Sequence, residues 1–273
     1  MNKKEYKMEN KNVAYLGPKG TFSQEAGIKY FGENNNLIPL IRVDDVFRKV
    51  INGEVDYGIV PIENSIAGTI VDNMDLFITT NAKIYDEITL EIHQNLLSKN
   101  PREAIKKIYS HSSSLYQCSK YLIDNFPKAE YIETTSNSRA AQHASEESDA
   151  ACIGPVICAK EYSLNVLEES INDYKHNETR FFIIAKKPQE VIRDRSMIIF
   201  SVPNKPGSLY HALKVFKSYK INMTKIESRP SKIRKWDYVF IVEYENGNNF
   251  EKVKKLLKKM EHLCGYFNYL GSY

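Results

Sequence analysis

The sequence predicts an α/β protein with a second, smaller α/β domain at its C-terminus, and three observations support this prediction. Between residues 12 and 190, short apolar segments alternate with segments of helical length, a pattern typical of parallel sheets covered by helices. Residues 196–270 follow the order βαββαβ, which is that of a ferredoxin-like domain. The charge also changes along the chain, since residues 1–190 contain 22 Lys and Arg against 27 Asp and Glu, net −5, and residues 191–273 contain 16 against 7, net +9.

Apolar runs and turn residues define the single elements of the C-terminal part. They predict strands over 196–203, 221–229, 237–245 and 266–270, and helices over 207–219 and 249–264. In the last helix, the apolar residues recur at helical spacing and the lysines project elsewhere. The positive charge is therefore interpreted as the solvated face of a helix, and no nucleic-acid binding is expected.

Composition points to a globular, cytoplasmic protein. A chain of 273 residues with 42% apolar content suits two domains of about 150 residues each. No apolar run approaches the roughly 18 residues of a membrane span, so no membrane association is expected. Residues 1–11 are polar and lack the apolar core of a signal peptide, which predicts a short disordered tail and a cytoplasmic location.

The cysteines and histidines do not have the spacing of a metal site. Cys118, Cys152, Cys158 and Cys264 form no Cys-x-x-Cys pair and lie in apolar-leaning segments. This predicts reduced, packed thiols and no bound metal. The six histidines likewise show no His-Glu-x-x-His pattern.

Two corners between a strand and a helix carry the first candidate site residues. The strand predicted over 13–16 runs into Gly-Pro-Lys-Gly-Thr-Phe-Ser, where Thr21 and Gln24 predict a capping box that opens a helix and exposes N–H groups to an anion. A second strand ends near Pro61 and is followed by Asn64 and Ser65. Ligands of open α/β sheets bind at such strand ends, so these corners outline part of a binding site.

Further polar loops follow the later predicted strands. His111 lies in one of them, and two interpretations remain open, a loop histidine bonded to local backbone or a catalytic base. Thr179 and Arg180 stand directly before the apolar run at 181–184. They are either ordinary edge-strand residues or working side chains presented at the mouth of a buried strand.

Four segments, in this order, resemble the prephenate dehydratase family, in particular its monofunctional members. They are Gly17-Pro-Lys-Gly-Thr-Phe-Ser, Val60-Pro-Ile-Glu-Asn-Ser-x-x-Gly68, His111-x-x-x-Leu-x-Gln-Cys118 and Asn177-x-Thr-Arg-Phe181. Further along the chain, Lys205-Pro-Gly-Ser-Leu and Ile226-Glu-Ser-Arg-Pro230 resemble the ACT regulatory domain that follows the catalytic domain in that family.

The resemblance implies a domain organisation. Residues 12–187 would form a two-lobed catalytic domain of the periplasmic-binding-protein type. Its first lobe would comprise residues 12–93 and 175–187, and its second lobe residues 94–174. Residues 194–273 would form the ACT domain, which pairs side by side with another copy in a homodimer or homotetramer.

The resemblance also implies an activity and the residues that perform it. Prephenate would lose water and carbon dioxide to give phenylpyruvate, without a cofactor, and L-phenylalanine would act as a feedback effector. Thr179 would be the essential catalytic residue, and our hypothesis is that Arg180 pairs with a substrate carboxylate as a two-point donor. The expected substrate-binding residues are Thr21, Asn64, Ser65, Ser136 and Ser138. The expected effector-binding residues, which could instead only form the interface between ACT domains, are Gly207, Ser208, Leu209, Asn222, Glu227 and Ser228.

Departures from the family's usual pattern leave substrate choice open. They lie at Ser112, Ser113, Asn137 and Arg139, and the guanidinium of Arg139 could alter recognition of the pyruvyl side chain. The alternatives are an arogenate dehydratase, a non-aromatising prephenate decarboxylase, and a non-catalytic module that binds an amino acid or another metabolite. The sign and strength of the effector response are also open.

Overall fold

The computed structural model describes residues 9–232, 237–247 and 250–273, so most of the tail predicted over residues 1–11 lies outside the described residues. The strands are β1 (Asn12–Leu16), β2 (Asn36–Leu40), β3 (Tyr57–Asn64), β4 (Gly68–Thr69), β5 (Lys83–Glu91), β6 (Asn95–Ser98), β7 (Lys107–His111), β8 (Glu130–Thr134), β9 (Ala150–Gly154), β10 (Asn165–Glu168), β11 (Glu178–Ala185), β12 (Arg195–Ser201), β13 (Met223–Pro230), β14 (Tyr238–Glu245) and β15 (Tyr266–Ser272). The helices are α1 (Phe22–Phe31), α2 (Val43–Asn52), α3 (Val71–Thr79), α4 (Ser112–Gln117), α5 (Ser119–Asn125), α6 (Asn137–Glu146), α7 (Ile157–Tyr162), α8 (Ser208–Tyr219) and α9 (Phe250–Leu263).

The first sheet has the strand order β2-β1-β3-β11-β5, with β4 added to β3. Strands β1 and β2 are parallel, with Val13 opposite Leu37. The apolar run predicted from the sequence forms β11, in which Phe181 and the residues after it are buried. The buried residues of β1, β3 and β11 thereby fix the positions of the polar side chains at the ends of these strands.

The second sheet has the order β10-β6-β9-β7-β8, in which β7 is parallel to both β8 and β9. Successive residues of a strand point to opposite faces of a sheet, and this sheet has a hydrophobic cluster on each face. Leu96 and Ile108 belong to one cluster, whereas Leu97 and Tyr109 belong to the other. Burial on both faces agrees with the apolar runs from which these strands were predicted.

The third sheet is antiparallel with the order β13-β14-β12-β15, and α8 and α9 complete the βαββαβ unit. Its core includes Ile198, Phe200, Phe216, Tyr244 and Leu256. The predicted α/β fold class and the ferredoxin-like order of the C-terminal part are confirmed, and the predicted strands and helices there correspond one to one with the observed elements.

The chain divides into two compact units that do not follow the predicted domain boundary. One is formed by Met1–Val46, Ile59–Ile70 and Ile88–Phe181, and the other by Phe47–Gly58, Val71–Glu87 and Phe182–Tyr273. Helix α3 and much of β5, both predicted as parts of the first catalytic lobe, therefore group with the C-terminal sheet. The sequence pattern did not indicate this grouping.

Packing within the second unit joins β5 to β15. Gly271 has φ +148°, and a Cβ atom there would overlap the carbonyl oxygen of Ile84. Lys83 Nζ donates to Asn268 Oδ1 at 2.6 Å and to the Tyr269 carbonyl oxygen at 2.7 Å. Such a close approach of two backbones requires glycine at position 271.

The four cysteines are free thiols, three of them buried. Burial raises the pKa of both the Cys118 and the Cys158 thiol to about 12, so these groups are neutral and unreactive at neutral pH. None of the helices in the described residues has the length and apolar character needed to cross a membrane.

Candidate active site

A cavity of about 1150 Å³ lies in the first unit. Its wall is built from residues at or near the ends of strands in the first and second sheets, mainly within 16–23, 61–70, 111–117, 135–137 and 179–181. Among the described residues of the wall, Lys19 is the only one with a fixed charge, and none is acidic. This cavity is therefore suited to an anionic ligand.

Thr179 lies at the cavity with its hydroxyl oriented by a neighbour. On β11, Thr179 and Phe181 share the face that lines the cavity. Asn64 Nδ2 donates to Thr179 Oγ1 at 3.0 Å, and Asn64 Oδ1 accepts from the N–H groups of Ile66 and Ala67, each at 3.0 Å. Because its oxygen accepts this hydrogen bond, the hydroxyl of Thr179 can donate its own proton to a ligand.

Two helices begin at the cavity. Thr21 caps α1 by accepting from the Gln24 N–H at 3.4 Å, and Ser136 caps α6 by accepting from the Arg139 N–H at 3.1 Å. Both capping residues line the cavity, and each helix is 10 residues long. Their positive ends and first-turn N–H groups favour a bound anion.

Ser138 takes a different position from the one predicted. It is fully buried, donates to the carbonyl oxygen of Lys19 and lies 2.7 Å from Tyr162 Oη. Cys158 Sγ donates to the Gly20 carbonyl oxygen at 2.9 Å in the same cluster. Ser138 thus holds the loop before α1, and its predicted direct contact with substrate does not agree with this placement.

Ser65 and Arg180 also lie outside the described wall of the cavity. Ser65 Oγ accepts from the Glu178 N–H at 2.9 Å and so fixes the loop after β3 to the start of β11. Arg180 lies on the opposite face of β11 from Thr179, with its Nη1 3.7 Å from Glu63 Oε2. The role predicted for Arg180 as a carboxylate clamp does not agree with this position, because successive strand residues face opposite sides.

The structure adds polar residues that were not among the predicted site residues. Lys19, Gln94 and Gln117 line the cavity, and Asn177 connects Asn64 to Gln117 by hydrogen bonds. Lys19, Gln117 and Asn177 lie inside the motifs that carry the family resemblance, so the sequence contained a signal for them. Gln94 lies outside those motifs and had none.

The departures in the second sheet's loops have local partners. Asn137 Oδ1 accepts from the His111 N–H at 3.1 Å and from Ser114 Oγ at 3.1 Å. His111 Nδ1 accepts from the Ser113 N–H at 3.2 Å, which agrees with a loop histidine bonded to local backbone. Arg139 Nη1 donates to Gln142 Oε1 at 2.6 Å and does not belong to the described wall, so its guanidinium has no contact with the cavity.

A second cavity, of about 820 Å³, lies in the C-terminal sheet domain. Three of the six predicted effector residues line it, namely Ser208, Leu209 and Ser228. Asn222 and Glu227 are placed elsewhere, with Asn222 Nδ2 donating to Glu245 at 3.2 Å and Glu227 3.3 Å from Lys225. Gly207 directly precedes α8 with φ +83°. In the described part of the chain, no three His, Cys, Asp or Glu side chains are grouped so as to hold a metal ion.

Comparison with known proteins decides the family. The family model "Prephenate dehydratase" matches residues 13–189, and the model "ACT domain" matches residues 196–262. The chain belongs to the prephenate dehydratase family. It is an enzyme of this type with a C-terminal ACT regulatory domain.

Individual relatives of this prephenate dehydratase agree with the family models. A prephenate dehydratase of Methanocaldococcus jannaschii is 37% identical over 272 residues, which is 97% of this chain and 98% of the relative. A bifunctional chorismate mutase/prephenate dehydratase of Aquifex aeolicus is 41% identical over 263 residues, 96% of this chain and 73% of the relative. The crystal structure of a prephenate dehydratase from Arthrobacter aurescens in complex with L-Phe has a TM-score of 0.87 at 26% identity and covers 96% of this chain and 90% of that chain.

Proposed function

We propose that this prephenate dehydratase converts prephenate to phenylpyruvate in the cavity of the first unit, with Thr179 as the donor to the leaving hydroxyl. The observation that carries the proposal is the wall of that cavity, which combines the Thr179 hydroxyl with Lys19, the starts of two helices and no acidic side chain among its described residues. Prephenate carries two carboxylates and one ring hydroxyl, and each of these groups meets a suitable partner in such a wall.

The reaction needs stabilisation of the leaving group more than it needs a strong acid. The bond to the ring carboxylate breaks, carbon dioxide leaves, and the electron pair enters the ring. The bond between the ring and its hydroxyl then breaks, with the electron pair remaining on the oxygen. The oxygen takes one proton from its hydrogen-bond donor and leaves as water, and solvent returns a proton to the donor. A hydrogen bond from Thr179 stabilises the negative charge on this oxygen, and aromatisation supplies the driving force.

The carboxylates would be bound by fixed donors. Lys19 offers a mobile ammonium group, and the N–H groups that begin α1 and α6 offer preorganised donors beside Thr21 and Ser136. Attraction at long range contributes little, because residues 1–190 carry a net charge of −5 and exposed charges are screened beyond about 8 Å at physiological ionic strength. Affinity for the dianion would therefore come from these local contacts.

Turnover of purified protein tests the role of Thr179. Removing one preorganised donor should cost about 3 to 4 kcal/mol of transition-state stabilisation, so Thr179→Ala should lower kcat by roughly 10²–10³-fold with little change in KM. Thr179→Ser retains the hydroxyl and serves as the matched control. Phenylpyruvate is measured from prephenate, and phenylalanine from arogenate is measured in parallel. A Thr179→Ala enzyme with normal kcat on prephenate would refute the role.

The C-terminal domain would regulate this reaction by binding L-phenylalanine in its own cavity. Ser228 and Ser231 line that cavity and flank Arg229, whose guanidinium pairs with Asp75 on α3 at 2.8 and 2.9 Å. Lys232 Nζ lies 2.7 Å from the same carboxylate. Helix α3 begins one residue after Ile70, which lines the active-site cavity. Effector binding would thus reach the active site through Asp75.

The ACT domain would also form the contact between subunits in a homodimer or homotetramer. Strand β13 is an edge strand of its sheet and exposes alternate residues, among them Ile226 and Ser228. An exposed edge strand is suited to pairing with the same strand of a second copy. Light scattering during size-exclusion chromatography measures the mass directly, and a monomer at working concentration would refute the assembly.

A further inference from the structure

A chain of side-chain amides connects Thr179 through buried Asn177 to Gln117 and Ser113, which lie elsewhere in the cavity wall. Asn64 Nδ2 donates to Thr179 Oγ1 at 3.0 Å and to Asn177 Oδ1 at 2.8 Å. Asn177 Nδ2 donates to Gln117 Oε1 at 3.0 Å, and Gln117 Nε2 donates to Ser113 Oγ at 3.3 Å. Asn177 is only 3% exposed and, unlike its neighbours in the chain, is not part of the described cavity wall. It cannot act by touching the substrate.

The backbone sets the direction of this amide chain at one end. Asn64 Oδ1 accepts from the N–H groups of Ile66 and Ala67, each at 3.0 Å. A side-chain amide has one acceptor oxygen and one donor nitrogen, so this arrangement turns the Asn64 nitrogen towards Thr179 and Asn177. Asn177 must then present its oxygen to Asn64 and its nitrogen to the next amide.

Gln94 supports the same direction. Gln94 Nε2 donates to Gln117 Oε1 at 3.3 Å, so this oxygen faces donors from both Gln94 and Asn177. Gln94 Oε1 is buried without a hydrogen-bond partner among the described residues. Turning over either donor amide would bring two oxygens together at Gln117. The fold therefore leaves one acceptor unpaired and keeps the direction of the chain.

We propose that Asn177 is a positioning residue for the dehydration, which acts through Asn64 to keep the Thr179 oxygen an acceptor and its proton directed to the departing hydroxyl. The Asn64 nitrogen has three acceptors, namely Asn177 Oδ1 at 2.8 Å, Thr179 Oγ1 at 3.0 Å and the Glu178 carbonyl oxygen at 3.1 Å, and the hydrogen bond to Asn177 is the shortest of them. If the Asn64 amide turned over, its oxygen would take the Thr179 proton and the cavity would lose its donor. The inference rests on the role proposed for Thr179.

The test variant is Asn177→Asp, which has nearly the same shape. An ionised Asp lacks the N–H that faces Gln117, whereas a protonated Asp accepts on one oxygen and donates from the other, as Asn177 does. Burial raises the pKa of a carboxylic acid, and the two side chains that bond the Asn177 amide, Asn64 and Gln117, are neutral. We expect kcat to fall by roughly 10-fold or more near pH 8, to recover towards about pH 5.5, and KM to stay within about threefold.

The control is Asn95→Asp. Asn95 is also 3% exposed, and it donates to the carbonyl oxygens of His93 and Gly154 at 3.1 Å without belonging to the amide chain. Its variant undergoes the same chemical change at the same depth. The proposal is overturned if Asn177→Asp has the kcat of the natural enzyme at all pH values, if the loss is in KM alone, or if Asn95→Asp shows the same recovery in acid.

A second variant avoids a buried charge. Asn177→Ala should lower kcat on its own, but it should have no further effect in a Thr179→Ala enzyme if Asn177 acts only through Thr179. Equal losses in both backgrounds would overturn the proposal. The single Thr179→Ala variant tests the proposed function separately, because normal turnover there would remove the role of Thr179 whatever the Asn177 variants do.

Discussion

Replacing Asp75 with asparagine should abolish most of the effect that L-phenylalanine, bound at the ACT domain, has on the rate of turnover. The Asp75 side chain is 4% exposed and bonds Arg229 through both carboxylate oxygens, at 2.8 and 2.9 Å. Burial alone raises the pKa of Asp75, but the hydrogen bonds from Arg229 and Lys232 outweigh it and hold the pKa below the ordinary 3.8. The carboxylate is therefore ionised at neutral pH, and the Asp75→Asn substitution would remove its charge with almost no change in size.

The exposure of the three charged side chains determines how much Asp75→Asn should lower the free energy of unfolding. Breaking a fully buried ion pair costs about 3–5 kcal/mol, whereas an exposed pair contributes about 0.2–1 kcal/mol. Here the carboxylate is buried, but the side chains of Arg229 and Lys232 are 25% and 46% exposed and can regain water. We expect Asp75→Asn to lower the free energy of unfolding by about 1–3 kcal/mol.

The sign of the pH dependence follows from the lowered pKa. A carboxylate with a depressed folded-state pKa contributes stability above its unfolded pKa, and that contribution is lost as the pH falls through the folded pKa. The difference in unfolding free energy between the natural enzyme and Asp75→Asn should hold from neutral pH to about pH 5 and shrink below about pH 4. Denaturant unfolding at several pH values measures it.

Regulation is measured on the same variant. Typical allosteric coupling is about 1–3 kcal/mol, a change of roughly 5- to 150-fold, and most of it should be lost in Asp75→Asn. Calorimetry should show L-phenylalanine still binding within about threefold of the natural affinity, while rates of phenylpyruvate formation no longer respond to it. Asp72→Asn, an exposed change on the same helix, is the control. Full inhibition of Asp75→Asn by L-phenylalanine would refute the coupling route.

Three further predictions concern the active-site cavity. Lys19→Gln should raise KM for prephenate by about tenfold with a smaller change in kcat, because a charge-assisted contact is lost. Steady-state kinetics measures both constants, with Lys29→Gln as control. A natural KM in both variants would contradict the prediction. Arg139→Ala should leave the ratio of kcat/KM for prephenate and arogenate unchanged, since its guanidinium bonds Gln142 and not the cavity; a shift of about tenfold in that ratio would show a role in recognition. Arg180→Lys should lower thermal stability more than it changes KM, because Arg180 faces Glu63; a raised KM at unchanged stability would return Arg180 to the substrate.

Much of the fold was predictable because it depends on local patterns. The βαββαβ order followed from apolar runs of strand length and from the helical spacing of Val253, Leu257 and Met260. Val253 and Met260 form part of the core, and Leu257 is partly buried against it. Thr21 was predicted at a loop that opens a helix, and Ser136 was predicted to bind substrate. Both residues are helix caps at the cavity. Strands, helices and helix caps depend on residues that are close together in the sequence, so a single sequence can predict them.

The positions of two predicted site residues follow from the same patterns. Strand alternation places Thr179 and Arg180 on opposite faces, so a cavity that contains the first excludes the second. Ser138 precedes Ala141 by three residues and therefore shares the buried face of α6, away from solvent. The family motif drew attention to these residues, but their directions follow from the geometry of the strand and the helix.

Other features were beyond a single sequence. The pairing of Asp75 with Arg229 joins residues 154 positions apart, and the pairing of Asn64 with Asn177 joins residues 113 positions apart. No local spacing relates the members of such pairs, since only the folded sheets bring them together. The grouping of α3 with the C-terminal sheet in one compact unit also depends on contacts between residues far apart in the sequence.

The contact at Gly271 limits how the regulatory domain can be exchanged between enzymes. A chimera cut in the linker at residues 186–194 would carry β15 away from β5, although the backbone at Gly271 is shaped to fit Ile84. It would also separate Phe182 from Tyr273, whose rings lie 5.0 Å apart. The portable cassette therefore comprises Phe47–Gly58, Val71–Glu87 and Phe182–Tyr273, so grafting regulation onto a relative requires five crossover points inside the catalytic sequence.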